Sequence, residues 1–128
     1  RNKGFRERMI FACYIPNREV PHYIDAMDIG IIPHSNRYRS PIKMFEYAAA
    51  GKVLLAPARE PIEMVVGGIQ NEYLFDPRSE ESLREKIGLI LEDRERWKIR
   101  GDKLRERIRE SYTYDQHGAR ILSILEKC

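Results

Sequence analysis

Metal-ligand spacing, a nucleophile constellation, a membrane-length apolar run and a strong charge of either sign are all missing from this sequence. The three histidines, His22, His34 and His117, share no spacing that suggests a metal site. Asp25 and Asp28 bracket a helix-to-strand turn and do not make a metal-binding Asp-x-Asp. No Ser/His/Asp or Cys/His pattern marks covalent catalysis. Only two cysteines occur, Cys13 in an apolar run and Cys128 at the terminus. Without a partner pattern they read as reduced thiols of a cytoplasmic protein. There is no signal peptide and no stretch approaching the ~20 apolar residues that span a bilayer. A net charge of +3 is too mild to indicate nucleic acid. It suits a small anionic ligand or an anionic membrane surface.

What is present is ordinary globular composition. The 128 residues are 42% hydrophobic and 34% charged, enough for one domain with one core. The chain opens on Arg1 rather than Met and reads as a piece of something longer. Residues 1–8 form a charged lead-in. Met9–Ile15 is a nearly continuous apolar run, which predicts a strand buried on both faces. Arg18–Met27 places Val20, Tyr23, Ile24 and Met27 at helical offsets. Asp28–Pro33 predicts a second buried strand and His34–Ser40 a polar loop. Pro41–Ala50 predicts a helix capped by Ser40, with Pro41 at its first position and Gly51 ending it. Lys52–Ala56 predicts a third strand, Ile62–Val66 a short helix stopped by Gly67-Gly68, and Glu72–Phe75 a fourth strand.

From Ser79 the apolar period becomes helical for good. Ser79 caps a helix with a Leu83, Ile87, Ile90 and Leu91 stripe. Arg94–Glu110 aligns Trp97, Gly101, Leu104 and Ile108, and Asp115–Lys127 is expected to turn Ile121, Leu122 and Leu125 inward. Strand–helix alternation followed by trailing helices predicts an α/β fold, a parallel sheet with a helical tail.

Ligands of open α/β sheets bind beyond the carboxyl ends of the strands. The loop His34–Ser40 leaves such an end and runs into a helix N-terminus, where free N–H groups favour an anion. Arg37, Arg39 and Lys43 add positive charge, and Glu46 follows Lys43 on the same helical side. An anion site beside a hydroxyl acceptor outlines a ribose phosphate. The residues alone leave a plainer reading open, in which the arginines are solvated and Lys43 pairs with Glu46.

The run Ser40-Pro41-Ile42-Lys43-Met44-Phe45-Glu46-Tyr47-Ala48-Ala49-Ala50-Gly51 resembles the S-P-x-K-x-x-E-Y-x-A-x-G signature of retaining glycosyltransferases with two Rossmann domains, the GT-B type, family 4 in particular. Asp28–Pro33 resembles the strand before that motif. Asn71–Pro77 with Ser79–Asp93 resembles the last strand and helix, and Glu110–Gln116 the lead-in to the terminal helix. The resemblance runs from about Met9 to Leu125.

It implies a Rossmann-like parallel sheet flanked by helices, the C-terminal, donor-binding domain of such an enzyme. The first strand–helix units and the upstream acceptor domain would be missing. Met9–Ile15 and Asp28–Pro33 should then not pair directly. It further implies that Glu46 accepts hydrogen bonds from the donor ribose. Backbone N–H groups around Ser40, Pro41, Ile42 and Lys43 hold the diphosphate, and Pro41 itself has none to give. Tyr14 borders the base. His34, Arg37, Tyr38 and Arg39 are further candidates for donor contact. Tyr38 stands where the family commonly has its first Glu, so the usual carboxylate facing the transferred sugar is absent.

No cofactor or bound metal is implied. The implied partners are a nucleoside diphosphate sugar and an acceptor, lipid-linked or glycan, with peripheral membrane contact through the basic segment Arg94–Arg109 and a cytoplasmic location. The fragment alone should not transfer sugar. Two rival readings are an epimerase or sugar-phosphate synthase on the same fold, and a non-catalytic nucleotide-binding or interaction module.

Overall fold

The computed structural model describes residues 3–127; Arg1, Asn2 and Cys128 lie outside the described residues, and with Cys128 the expectation about its thiol. In chain order the elements are α1 (Lys3–Arg6), α2 (Val20–Asp25), β1 (Ile29–Ile31), α3 (Ile42–Ala49), β2 (Val53–Pro57), α4 (Glu60–Val66), a 3₁₀ turn (Asn71–Tyr73), β3 (Leu74–Phe75), α5 (Glu80–Glu92), α6 (Arg94–Ser111) and α7 (Tyr114–Leu125). The three strands form one parallel sheet in the order β1-β2-β3. Ile29, Gly30 and Ile31 lie opposite Val53, Leu54 and Leu55, and Ala56 and Pro57 lie opposite Leu74 and Phe75. The fold is the α/β, Rossmann-like arrangement expected.

The strand β2 is central, and all five of its residues are buried. Its side chains alternate between two cores, as a period of two dictates. Leu54 and Ala56 pack with Met44, Tyr47 and Ala48 of α3, Ile62, Val65 and Val66 of α4, and Leu104 and Ile108 of α6. Val53 and Leu55 pack on the opposite face with Tyr73, Phe75 and Ile90 of α5. Each such fully buried aliphatic side chain stabilises the fold by about 1.5–3 kcal/mol.

Several expected elements shift or fail. Met9–Ile15 is not a strand. It pairs with no strand among the described residues, and Ile10 and Phe11 are 93% and 78% exposed. Without a neighbouring strand its backbone groups have no ladder to join, and Cys13, at φ 55°, departs from the extended conformation. Accordingly it does not pair with β1. The helix over 18–27 shrinks to α2, where Ile24 is buried while Tyr23 and Met27 remain exposed. Ser40 does not cap α3. Pro41 takes the cap position in an extended conformation, at ψ 127°, so the helix starts at Ile42 without a side-chain cap. Of the expected fourth strand, Leu74 and Phe75 are strand, while Glu72 and Tyr73 belong to a 3₁₀ turn. In α5, Ile90 is buried and Leu83 half-buried, whereas Ile87 and Leu91 face outward. The expectation for the last helix is overturned: α7 has no buried residue, and Ile121, Leu122 and Leu125 are exposed, because no described element lies against that face.

Other local signals act as expected. Ser79 accepts a hydrogen bond from the Ser82 N–H at the start of α5. Gly51, at φ 72°, ends α3 in the left-handed conformation that glycine adopts at little cost. Gly101 of α6 packs directly on the Gly51 carbonyl, where a Cβ would have no room.

The basic helix α6 fastens the domain through helix ends. Arg105 donates to the Ala50 carbonyl at 3.0 Å, Arg107 to those of Gly67 (2.7 Å) and Met64 (3.1 Å), and Arg100 to that of Ile69 (2.7 Å). These are carbonyls at or just past the C-termini of α3 and α4, where intrahelical donors run out and positive charge is favoured. Arg100 also pairs with Glu72 and Asp93 and sits over the Tyr73 ring. Burial opposes its charge, but the hydrogen bond with Glu72 and the surrounding fields hold its pKa above the ordinary range. Burial, with donation to Asp93, likewise pushes the Tyr73 hydroxyl well above the usual tyrosine range.

Candidate functional site

At the carboxyl end of β1 the chain crosses residues 32–41 before re-entering helix, and this crossing walls a cleft of about 480 Å³. Ser35 shapes it from within. Its side chain is almost completely buried, and its hydroxyl donates to the carbonyl of Arg39 at 3.2 Å, with that of Asn36 at 3.3 Å. The Arg39 N–H donates back to the Asn36 carbonyl at 3.4 Å. The loop is thereby folded into a turn that delivers Arg39, Ser40 and Pro41 to the cleft mouth.

The first turn of α3 forms the far wall, through Ile42 and Lys43. The Met44 N–H returns to the Pro41 carbonyl at 3.0 Å. The N–H groups of Ile42 and Lys43 have no acceptor among the described residues. Two free donors, the positive end of a helix and the Arg39 and Lys43 side chains therefore meet at one opening. Such a set of groups can hold an anion.

The structure brings together most of the residues expected from sequence. His34, Arg39, Ser40, Pro41, Ile42 and Lys43 line this cleft. Glu46 does not. It is half-buried one turn further along α3 and lines a separate cleft of about 580 Å³, formed with Asn17, Val20, Pro21, Ile24 and Asp25 around α2. Neither Lys43 nor Glu46 forms an ion pair among the described residues, so the plainer reading in which they pair with each other is not what the structure adopts. Arg37 and Tyr38 are exposed at the outside of the turn and line neither cleft, and Tyr14 is exposed on the unpaired segment.

Sequence reasoning missed Ser35 and Asn36. The only signal for them was a short run of turn-forming residues between a strand and a helix. It also missed Arg59, at the carboxyl end of β2, whose Nε is buried without an acceptor. Among the described residues no cluster of three or more His, Cys, Asp or Glu side chains could hold a metal ion. No helix among them is long and apolar enough to cross a membrane.

Comparison with known proteins bears on this geometry. A family model described as "Glycosyl transferase-like" matches residues 4–123. A stretch of 39 residues is 49% identical to "Putative teichuronic acid biosynthesis glycosyltransferase TuaH" of Bacillus subtilis (strain 168). That match covers 27% of this chain and 10% of the relative, so the chain spans about a tenth of the curated relative it matches. No solved structure matches the chain.

Proposed function

Because the chain belongs to the glycosyl transferase-like family, we propose that it is the donor-binding part of a retaining glycosyltransferase, which moves a hexosyl-type group from a nucleoside diphosphate sugar to an acceptor. The observation that carries this reading is the pair of clefts flanking one helix. The α3 N-terminus opens on one with free N–H groups and Lys43, and Glu46 opens on the other a turn later. A nucleotide lying across α3 would set its diphosphate on the N–H groups and its ribose hydroxyls on the Glu46 carboxylate. The side chains of a helix lean toward its N-terminus, which shortens that reach.

In this reading the domain's contribution to catalysis is to position the donor and to offset charge on the departing diphosphate. Lys43, Arg39 and the helix dipole serve the second task, and no side chain in the cleft is cast as an acid, base or nucleophile. Tyr38, on the outer side of the turn, leaves the sugar without the carboxylate that the family commonly supplies.

We extend the same proposal to domain organisation. Met9–Ile15 is an apolar, strand-length segment without a strand partner, and the outer edge of β1 is unpaired among the described residues. Both fit a sheet whose remaining strands are contributed by sequence beyond these 128 residues, together with an acceptor domain.

Thermal-shift and calorimetric titration with UDP, GDP and ADP test the donor site. A rise in Tm that is selective for one base and lost in Lys43→Ala supports it. No response to any of the three nucleotides, from a folded chain, overturns it.

A further inference from the structure

A third cleft borders α3 without involving Glu46. It measures about 310 Å³, at the lower end of the roughly 300–1,000 Å³ typical of small-ligand pockets. Its walls are Ile42 and Phe45 of α3 and the corner where α6 passes into α7. The exposed Ile42 side chain lines both this cleft and the one at the α3 N-terminus.

The chemistry of this corner differs from that of the nucleotide clefts. Three aromatic rings line it. Phe45 and Tyr112 hold each other at 5.7 Å between centroids, and Tyr112 is further anchored by donating to the Met64 carbonyl at 3.3 Å. Tyr114, in contrast, is 96% exposed. The backbone beneath it is fixed by a reciprocal cap. The Thr113 hydroxyl accepts from the Gln116 N–H, and the Gln116 amide oxygen accepts from the Thr113 N–H at 3.0 Å. A large ring is thus displayed from a rigid base.

One turn further along α7 stands His117, and nearly a turn beyond it Arg120. The Arg120 side chain has no ion pair among the described residues. No carboxylate lines the cleft, and Ser111 adds a hydroxyl. A flat ring offering its face, hydroxyl partners and an unopposed guanidinium are the groups that bind a sugar ring bearing a negative charge.

We propose that this cleft binds an anionic saccharide, a sugar carrying a carboxylate or phosphate. Tyr114 stacks on the ring and Arg120, with His117, takes the anionic group. The claim is independent of the donor reading above, which places the nucleotide in the other two clefts that border α3.

Backbone-amide NMR titration of the 128-residue chain separates the two claims. Glucuronate is expected to shift residues 111–120, glucose to bind roughly tenfold more weakly for want of the charge-assisted contact, and inorganic phosphate alone not to reproduce the pattern. Tyr114→Ala and Arg120→Gln, both at exposed positions, should each abolish the glucuronate shifts while leaving UDP shifts around residues 31–46 in place. If glucuronate moves nothing at this corner, if glucose binds equally well, or if phosphate alone gives the same shifts, the subsite is overturned whatever UDP does. If glucuronate binds there and UDP shifts nothing, the saccharide site stands and the donor reading falls.

Discussion

Lys43 and Glu46 lie one turn apart on α3, yet they open into different clefts and do not pair. A single short helix therefore presents a cationic end to one space and a carboxylate to the next. That separation yields the most direct mutational test. Glu46→Gln keeps the shape and removes the charge from any ribose contact, for which hydrogen bonds to a charged group contribute about 1.5–3 kcal/mol. Nucleotide affinity should fall roughly tenfold or more, while the melting temperature stays near that of the wild type. Wild-type affinity in the substituted chain would remove Glu46 from the site.

A methyl group at Gly101 has nowhere to go. Gly101→Ala should force α6 away from the Gly51 carbonyl and disturb the Arg105 bond to Ala50 beside it. Overpacking of this kind costs about 1–3 kcal/mol, and a Tm lower by several degrees is expected. Gly88→Ala, where a Cβ meets open space on α5, is the control and should be neutral or slightly stabilising.

The Tyr73 hydroxyl gives an alkaline signature. Its pKa is raised in the folded chain, first by burial and then by donation to Asp93, from an ordinary value of 10.0. The stability it contributes is complete below that value and is lost as pH climbs toward the folded pKa, because the unfolded chain ionises first. Melting curves between neutral pH and about pH 11 should show Tyr73→Phe losing less stability on the alkaline side than the wild type. Parallel curves would show that Tyr73 is not the group responsible.

Hydrogen exchange addresses the wider architecture. Amides of residues 10–15 should exchange rapidly in the 128-residue chain, since they have no strand partner. In a longer chain that supplies the neighbouring strands they should become protected. Protection in the short chain, or continued rapid exchange in the long one, contradicts the proposed sheet completion.

Much of the fold was legible because local and global signals agreed. The residues Val53, Leu54 and Leu55 read as a buried strand and are one, and the 3.6-residue period of Gly101, Leu104 and Ile108 found its core. Met9–Ile15 and α7 were misjudged for one shared reason. Their apolar residues announce burial, but burial needs a surface to pack on, and a pattern does not say whether that surface lies within the same 128 residues. Within the candidate site, the helix and its polar loop were visible from turn chemistry and charge. The division of Lys43 and Glu46 between two clefts was not, because it depends on α2 packing beside α3. Ser35 was invisible because its role is to hold other residues' carbonyls.

Gln70 is completely buried, and its side-chain amide both accepts from the Leu54 N–H and donates to the Leu54 carbonyl, each at 3.2 Å. It occupies the place that a neighbouring strand would take beside that residue, ahead of where β3 begins. A side chain cannot be extended into a ladder, so an incoming peptide finds this stretch of β2 already closed. On the other side, the three-residue strand β1 has no strand beyond it among the described residues. Strand addition to the 128-residue chain is therefore expected at the outer strands β1 and β3 and not at Leu54, which one glutamine shields.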